Sequence, residues 1–215
     1  MTAPEILSAL LEPTAYDNRF YGVVVGVVTN NQDPDNMHRI KVRFPWLGDD
    51  VESNWARVAA PMAGNGRGAY FLPEVDDEVL VAFEHGRVDF PYVLGGLWNG
   101  QDTPPESNSD GENNHRTIMS RSGHVLRLND TSGNESIEII DKSGSNKVII
   151  DTANNSITIE ANSDIEIKSS TGKLTMQANG IEMKSQTGVS IKATSSLDLK
   201  ADGQVTVKGA MIQLN

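Results

Sequence analysis

Apolar residues paired across one polar residue recur through the last third of the chain: Ile157/Ile159, Ile165/Ile167, Leu174/Met176, Ile181/Met183, Val189/Ile191, Leu197/Leu199, Val205/Val207 and Ile212/Leu214. Their first members step by 8, 9, 7, 8, 8, 8 and 7 residues, an eight-residue repeat. Leu126/Leu128, Ile137/Ile139 and Val148/Ile150 precede them at steps of 11, 11 and 9, so residues 120–215 read as one array. Apolar-polar-apolar is the period of a strand with one buried face, and the intervening Ser, Asn, Gly, Thr and Asp suit a corner.

A strand that buries two side chains cannot stand alone, so successive strands must stack. Two architectures meet that demand: one chain coiling on itself, with three eight-residue faces per turn, or three identical chains wound about each other. From Ile157 onward there is no aromatic residue. Two medium aliphatic side chains per face fill only a narrow threefold axis, which favours the intertwined form. Its core would hold Ile157, Ile159, Ile165, Ile167, Leu174, Met176, Ile181, Met183, Val189, Ile191, Leu197 and Leu199. At one strand spacing of ~4.8 Å per repeat, eight repeats make a rod of ~40 Å. Lysines follow the second apolar residue at Lys168, Lys184, Lys192, Lys200 and Lys208, with Glu166, Glu182 and Asp198 on the same outer faces. Such mixed charge reads as a solvated surface.

The front of the chain is a different material. All 12 aromatic residues lie between Tyr16 and Trp98, and all 9 prolines lie at or before Pro105. Residues 1–119 hold 8 Lys+Arg against 18 Asp+Glu, whereas residues 120–215 hold 10 against 11. A front half this acidic repels phosphate backbones, which argues against nucleic-acid binding. From Phe20 to Trp98, runs such as FYGVVVGVVTN, MHRIKVRF, EVLVAFE and PYVLGGLW alternate with turn residues and predict a small antiparallel β-barrel or sandwich. Five or six strands in this length suit a closed barrel best.

Thr2 and Glu5 have capping-box spacing ahead of Ile6, Leu7, Leu10 and Leu11, which predicts a short amphipathic N-terminal helix over residues 1–19. With no basic leader and no long apolar run there, neither a signal peptide nor a membrane span is expected. Residues 101–119 are polar, carry two adjacent prolines, and read as a linker. The expected divisions are therefore residues 1–19, 20–100, 101–119 and 120–215.

Chemistry-bearing motifs are weak. GNGRG, residues 64–68, lacks the lysine and following helix of a phosphate cradle and reads as a tight loop. Asp33 and Asp35 in QDPDN lack the remaining ligands of a calcium loop and read as a hairpin turn. Glu84 and His85, adjacent in a strand-like run, would point to opposite faces rather than cooperate. His38, His115 and His124 show no ligand spacing, no cysteine exists for a disulfide or thiolate site, and no nucleophile signature occurs. No catalytic residue, cofactor or metal site is assigned.

Four stretches carry a resemblance: KVRFPWLGDD from Lys41, WARVAAP from Trp55, GAYFLPEVDDEVLVAFEHG from Gly68, and VLGGLWNG from Val93. Residues 20–100 closely resemble the oligosaccharide/oligonucleotide-binding (OB) domain of phage baseplate assembly protein V and of the valine-glycine repeat (VgrG) spike proteins. The octad tail agrees independently. The resemblance implies an all-β homotrimer: an OB barrel followed by an intertwined triple-stranded β-helix needle. It also implies the role of central spike in a phage tail, R-type bacteriocin or related injection particle, made in the bacterial cytoplasm and contacting the target membrane only transiently.

Departures from the family pattern refine that expectation. No muramidase-sized insert separates barrel from tail, so peptidoglycan cleavage is not expected. No hub-like domain precedes the barrel, so the hub is expected to be a separate protein, held through Ile6, Leu7, Leu10 and Leu11. No histidine follows His124 to hold an apical metal. A separate tip protein of the proline-alanine-alanine-arginine (PAAR) kind is therefore expected on Val205, Val207, Met211, Ile212, Leu214 and Asn215. The alternative reading is a trimeric carbohydrate-binding fibre or tailspike. It would need aromatic sugar platforms, which the octads lack.

Overall fold

A computed structural model describes residues 19–48 and 51–213. The predicted N-terminal helix, with Ile6, Leu7, Leu10 and Leu11, lies outside the described residues, as do Leu214 and Asn215. The chain divides into two compact units, Met1–Asn162 and Ser163–Asn215.

The first unit opens with β1 (Val23–Asn30), β2 (Arg39–Arg43) and β3 (Ala56–Val58). A two-residue hairpin follows, β4 (Ala63–Gly64) and β5 (Arg67–Gly68), then β6 (Glu78–Phe83), a 3₁₀ turn at Glu84–Gly86, and β7 (Pro91–Gly96). Strands β1-β2-β3-β7-β6 close into a barrel, antiparallel except where β3 runs parallel to β7. The predicted closed barrel is thus present.

Alternation builds its interior. Ile40 and Val42 on β2, with Phe44 just beyond, and Val79, Val81 and Phe83 on β6 point inward with Val28, Ala56 and Val93. Gly26 sits where β1 crosses this interior with little room to spare, since a Cβ there would stand 3.3 Å from the Cβ of Val42. Ser53 is the buried polar exception, and it is satisfied: its Oγ accepts from the Val42 N–H at 3.1 Å and donates to the Asn54 carbonyl at 2.7 Å.

The turn residues behave as their chemistry dictates. Asp33 of QDPDN accepts from the N–H groups of Asp35 and Met37 and takes Arg39 on both carboxylate oxygens, at 2.9 and 2.6 Å. The Arg39 guanidinium, aided by those amides, holds the Asp33 carboxyl well below the usual carboxylate range. The donors come from the turn itself and from Arg39 at the start of β2, so the carboxylate clamps the β1–β2 connection onto the strand that follows it. GNGRG forms the β4–β5 hairpin, and a Cβ on Gly68 would collide with the Met62 carbonyl at 2.6 Å. Glu84 and His85 sit in the 3₁₀ turn rather than in a strand.

Past the barrel the chain forms five short strands: β8 (His115–Met119), β9 (Val125–Asn129), β10 (Ser136–Ile140), β11 (Lys147–Asp151) and β12 (Ser156–Glu160). They pair in sequence order as an antiparallel meander. The stretch predicted to be linker therefore ends in a strand, β8. The array predicted over residues 120–215 divides as well, with its early members in intrachain hairpins and no strand over Ser163–Ile212 or Gln213.

Candidate functional site: an apolar sheet face behind the barrel

The meander has two unlike faces. Its register sets Ile118 against Leu126, Leu126 against Ile139, Leu128 against Ile137, Ile139 against Val148, Ile137 against Ile150, Val148 against Ile159, and Ile150 against Ile157. Cross-strand alignment thus gathers every apolar pair of this region onto one side. That side is not covered: Ile139 is 55%, Ile157 70% and Ile159 60% exposed. Barrel residues Phe71 and Leu72 meet this surface at a groove that also takes in Ile118, Leu126, Ile139, Val148 and Ile159. Soluble surfaces seldom carry so continuous an apolar patch without a partner.

The opposite face mixes apolar residues, Met119, Val125, Ile140 and Ile149, with paired charges. Arg127 stands between two carboxylates, Glu106 at 2.7 Å and Glu138 at 3.2 Å, and Lys147 pairs with Glu160 at 2.9 Å. Glu106 comes from the polar segment after the barrel and pins that segment to the sheet. Its Oε1 accepts from the Thr117 hydroxyl at 2.6 Å and from Arg127 Nε at 2.9 Å, and the ring of His115 lies 3.2 Å from Oε2. The Thr117 hydroxyl foremost, with Arg127 and His115, lowers the Glu106 carboxyl to about 2. Sequence reasoning missed this anchor: the strand register brings Thr117 opposite Arg127, and Glu106 reaches both from outside any strand.

Because Glu106 titrates below its ordinary value of 4.5 in the folded chain, its contribution is complete above that value and disappears as pH falls from 4.5 toward 2. Glu106→Gln is therefore expected to melt at a lower temperature than wild type at pH 7. The gap should close as both proteins are titrated through that acid range, measured by thermal unfolding. A gap that persists at pH 2 would show that shape, not charge, is what Glu106 supplies.

Of the predicted core, Ile157 and Ile159 lie on β12 and join the apolar face. Ile165, Ile167, Leu174, Met176, Ile181, Met183, Val189, Ile191, Leu197 and Leu199 are all 54–69% exposed and belong to no strand. Val205, Val207, Met211 and Ile212 are exposed too. What local order this unit has comes from its corners: Ser169 Oγ accepts from the Gly172 N–H at 3.2 Å, and two octads later Ser185 Oγ accepts from the Gly188 N–H at 3.0 Å. Among the described residues no cluster of three or more His, Cys, Asp or Glu could hold a metal, and no helix is long and apolar enough to cross a membrane.

Comparison with known families bears on the barrel directly. Residues 24–98 match the model of the type VI secretion system/phage-baseplate injector OB domain. The resemblance to VgrG-like baseplate spike proteins, drawn above from KVRFPWLGDD and its companions, holds. The chain is 34% identical over 124 residues to the type VI secretion system spike protein VgrG4b of Pseudomonas aeruginosa, covering 54% of this chain and 15% of that one. Against the spike protein VgrG3 of Vibrio cholerae it is 30% identical over 131 residues, 56% of this chain and 13% of that one. A third relative, VgrG1c of Pseudomonas aeruginosa, is 28% identical over 154 residues, 68% of this chain and 19% of that one. The chain thus spans less than a fifth of the length of these relatives. A match of 154 residues exceeds the injector domain, so the likeness continues outside the barrel.

Proposed function

We propose that this chain is one of three identical subunits of the central spike of a contractile injection machine, a non-enzymatic part that transmits force from a baseplate to a target envelope. The observation that carries the proposal is the sequel to the injector domain. An apolar sheet face is followed by octads whose apolar residues find no cover within one chain. Those octads also leave their backbone without ladder partners, and stacking identical chains supplies side-chain cover and hydrogen bonds together.

In this reading the octads line a threefold axis and their lysine column meets water. Piercing needs a rod without lateral edges, and intertwining provides it. The proposed hub contact is through Ile6, Leu7, Leu10 and Leu11. The proposed tip contact, for a PAAR-type protein, is through Val205, Val207, Met211, Ile212, Leu214 and Asn215. The spike role itself is supported by the spike proteins VgrG4b and VgrG3 among the relatives.

Light scattering on the purified protein tests the proposal. The expected mass is about 70 kDa, three copies of the 23.3 kDa chain. A 23.3 kDa particle that keeps its β-sheet signal overturns it.

A further inference from the structure

Carboxylates outnumber cations in the front of the chain, 18 against 8 over residues 1–119, so a cation there has no shortage of partners. Arg39 takes both Asp33 and Asp35 at 2.6 Å, and Lys41 takes Glu52 at 2.6 Å. Arg57 and Arg67 differ. Among the described residues the side chain of neither makes a hydrogen bond or an ion pair.

Their placement makes that informative. The β2–β3 register sets Arg57 directly opposite Arg39, where like charges repel. Asp33 and Asp35 already neutralise Arg39, so Arg57 stands as a surplus charge. The ring of Tyr92 lies 5.6 Å from the Arg57 guanidinium carbon, and the Tyr92 hydroxyl is itself tied to Glu84 at 3.2 Å. Stacking of this kind occupies the face of a guanidinium and leaves its N–H edge open. Arg67 folds back over the β4–β5 hairpin: its guanidinium lies 3.1–3.2 Å from the point where a Cβ on Gly64 would stand. Both arginines line one groove of about 700 Å³, bounded by the approach to β2, by β3 and by the hairpin. Met37, Met62 and Tyr70 line it too, and all three are more than half exposed. His38, at φ +58°, sets its ring 4.6 Å from that of Tyr70, and its buried Nδ1 has no hydrogen-bond partner. A ring contact, and no side-chain hydrogen bond among the described residues, therefore holds this wall, which leaves it able to repack around a guest.

We infer that this groove binds an acidic peptide segment of a partner protein, one in which carboxylates are interspersed with aliphatic side chains. Each guanidinium offers a carboxylate a matching pair of N–H groups. Met37, Met62 and Tyr70 take the aliphatic neighbours, a task suited to the adaptable thioether side chain. A bare inorganic anion would engage the arginines and leave the apolar rim unused. A nucleic-acid backbone would run past two arginines onto the surrounding carboxylates, whereas a segment with one or two carboxylates ends where the cations end. The inference concerns the barrel alone and does not draw on the three-copy reading.

Isothermal titration calorimetry on the full-length protein tests it. The probe is the peptide leucine-glutamate-leucine-glutamate-leucine with blocked termini, and the control carries glutamine in place of glutamate. Saturable binding of the glutamate peptide is expected. It should weaken by about tenfold or more in Arg57→Gln, in Arg67→Gln and with the glutamine peptide, since each removes a charge-assisted pairing. Arg87→Gln should bind as wild type does, because the Arg87 guanidinium sits over Phe90 outside the groove. Met62→Glu keeps both arginines and offers them a carboxylate of the chain's own, so it should block the peptide even if an arginine variant fails to fold. Inorganic phosphate at the concentration of the peptide should not displace it; displacement would reveal a site for free anions and overturn the peptide assignment. No saturable binding up to about 1 mM peptide overturns the inference, as does undiminished binding in either folded arginine variant.

Discussion

Ile191→Asp is expected to convert the proposed three-copy particle into single 23.3 kDa chains with an intact barrel. In one chain Ile191 is 58% exposed and lies in no strand, and a substitution at such a site ordinarily changes stability by about 0.5 kcal/mol or less. In three intertwined chains the same change brings three carboxylates to one narrow axis, with no cation on the apolar face to meet them. Each uncompensated buried charge costs several kcal/mol, and three in mutual repulsion exceed what neighbouring octads can offset. The two architectures thus differ in outcome by orders of magnitude in assembly constant. Light scattering reads assembly. Tryptophan fluorescence reads the barrel independently, since Trp46, Trp55 and Trp98 are the three tryptophans of the chain. An Ile191→Asp protein that still has three-copy mass, with unchanged dissociation on dilution, would refute a threefold core at this octad.

The barrel was legible because β-branched and aromatic runs such as EVLVAF, residues 78–83, are bracketed by turn residues, although the alternation of buried Val79, Val81 and Phe83 with Leu80 and Ala82 shows only in the structure. The meander was not, because its triplets look the same as those of the octads. Leu126-Arg127-Leu128 in a hairpin and Leu197-Asp198-Leu199 outside any strand share one local period. What separates them is the connection. The steps of 11, 11 and 9 leave room for a reversal, and Ser-Gly stands at Ser122-Gly123, Ser132-Gly133 and Ser143-Gly144, where three of the four reversals occur. That dipeptide was a readable signal. The Glu106 anchor left no comparable trace, since a carboxylate that reaches Thr117 and Arg127 across a folded sheet has no sequence period. Ile6, Leu7, Leu10 and Leu11 were assigned from a local stripe, and they lie outside the described residues, so their proposed role rests on that stripe.

Phe44→Ala should produce the complementary result, a damaged barrel on an assembled spike. Phe44 is 1% exposed and closes the barrel interior, with its ring 5.6 Å from Phe83 and 6.2 Å from Trp46. Truncating a buried Phe to Ala costs about 3–5 kcal/mol, through lost transfer energy and the cavity left behind. A domain of this size is stable by only about 5–15 kcal/mol, so the barrel should unfold at markedly lower denaturant concentration. Among the described residues the nine buried apolar ones lie between Val28 and Val93, so the cavity is confined to the barrel interior. Tryptophan fluorescence should therefore shift its midpoint while the particle mass holds at three copies. Loss of both signals together would mean that barrel and tail fold as one cooperative unit, which would make the injector domain a condition of spike assembly and not a passenger on it.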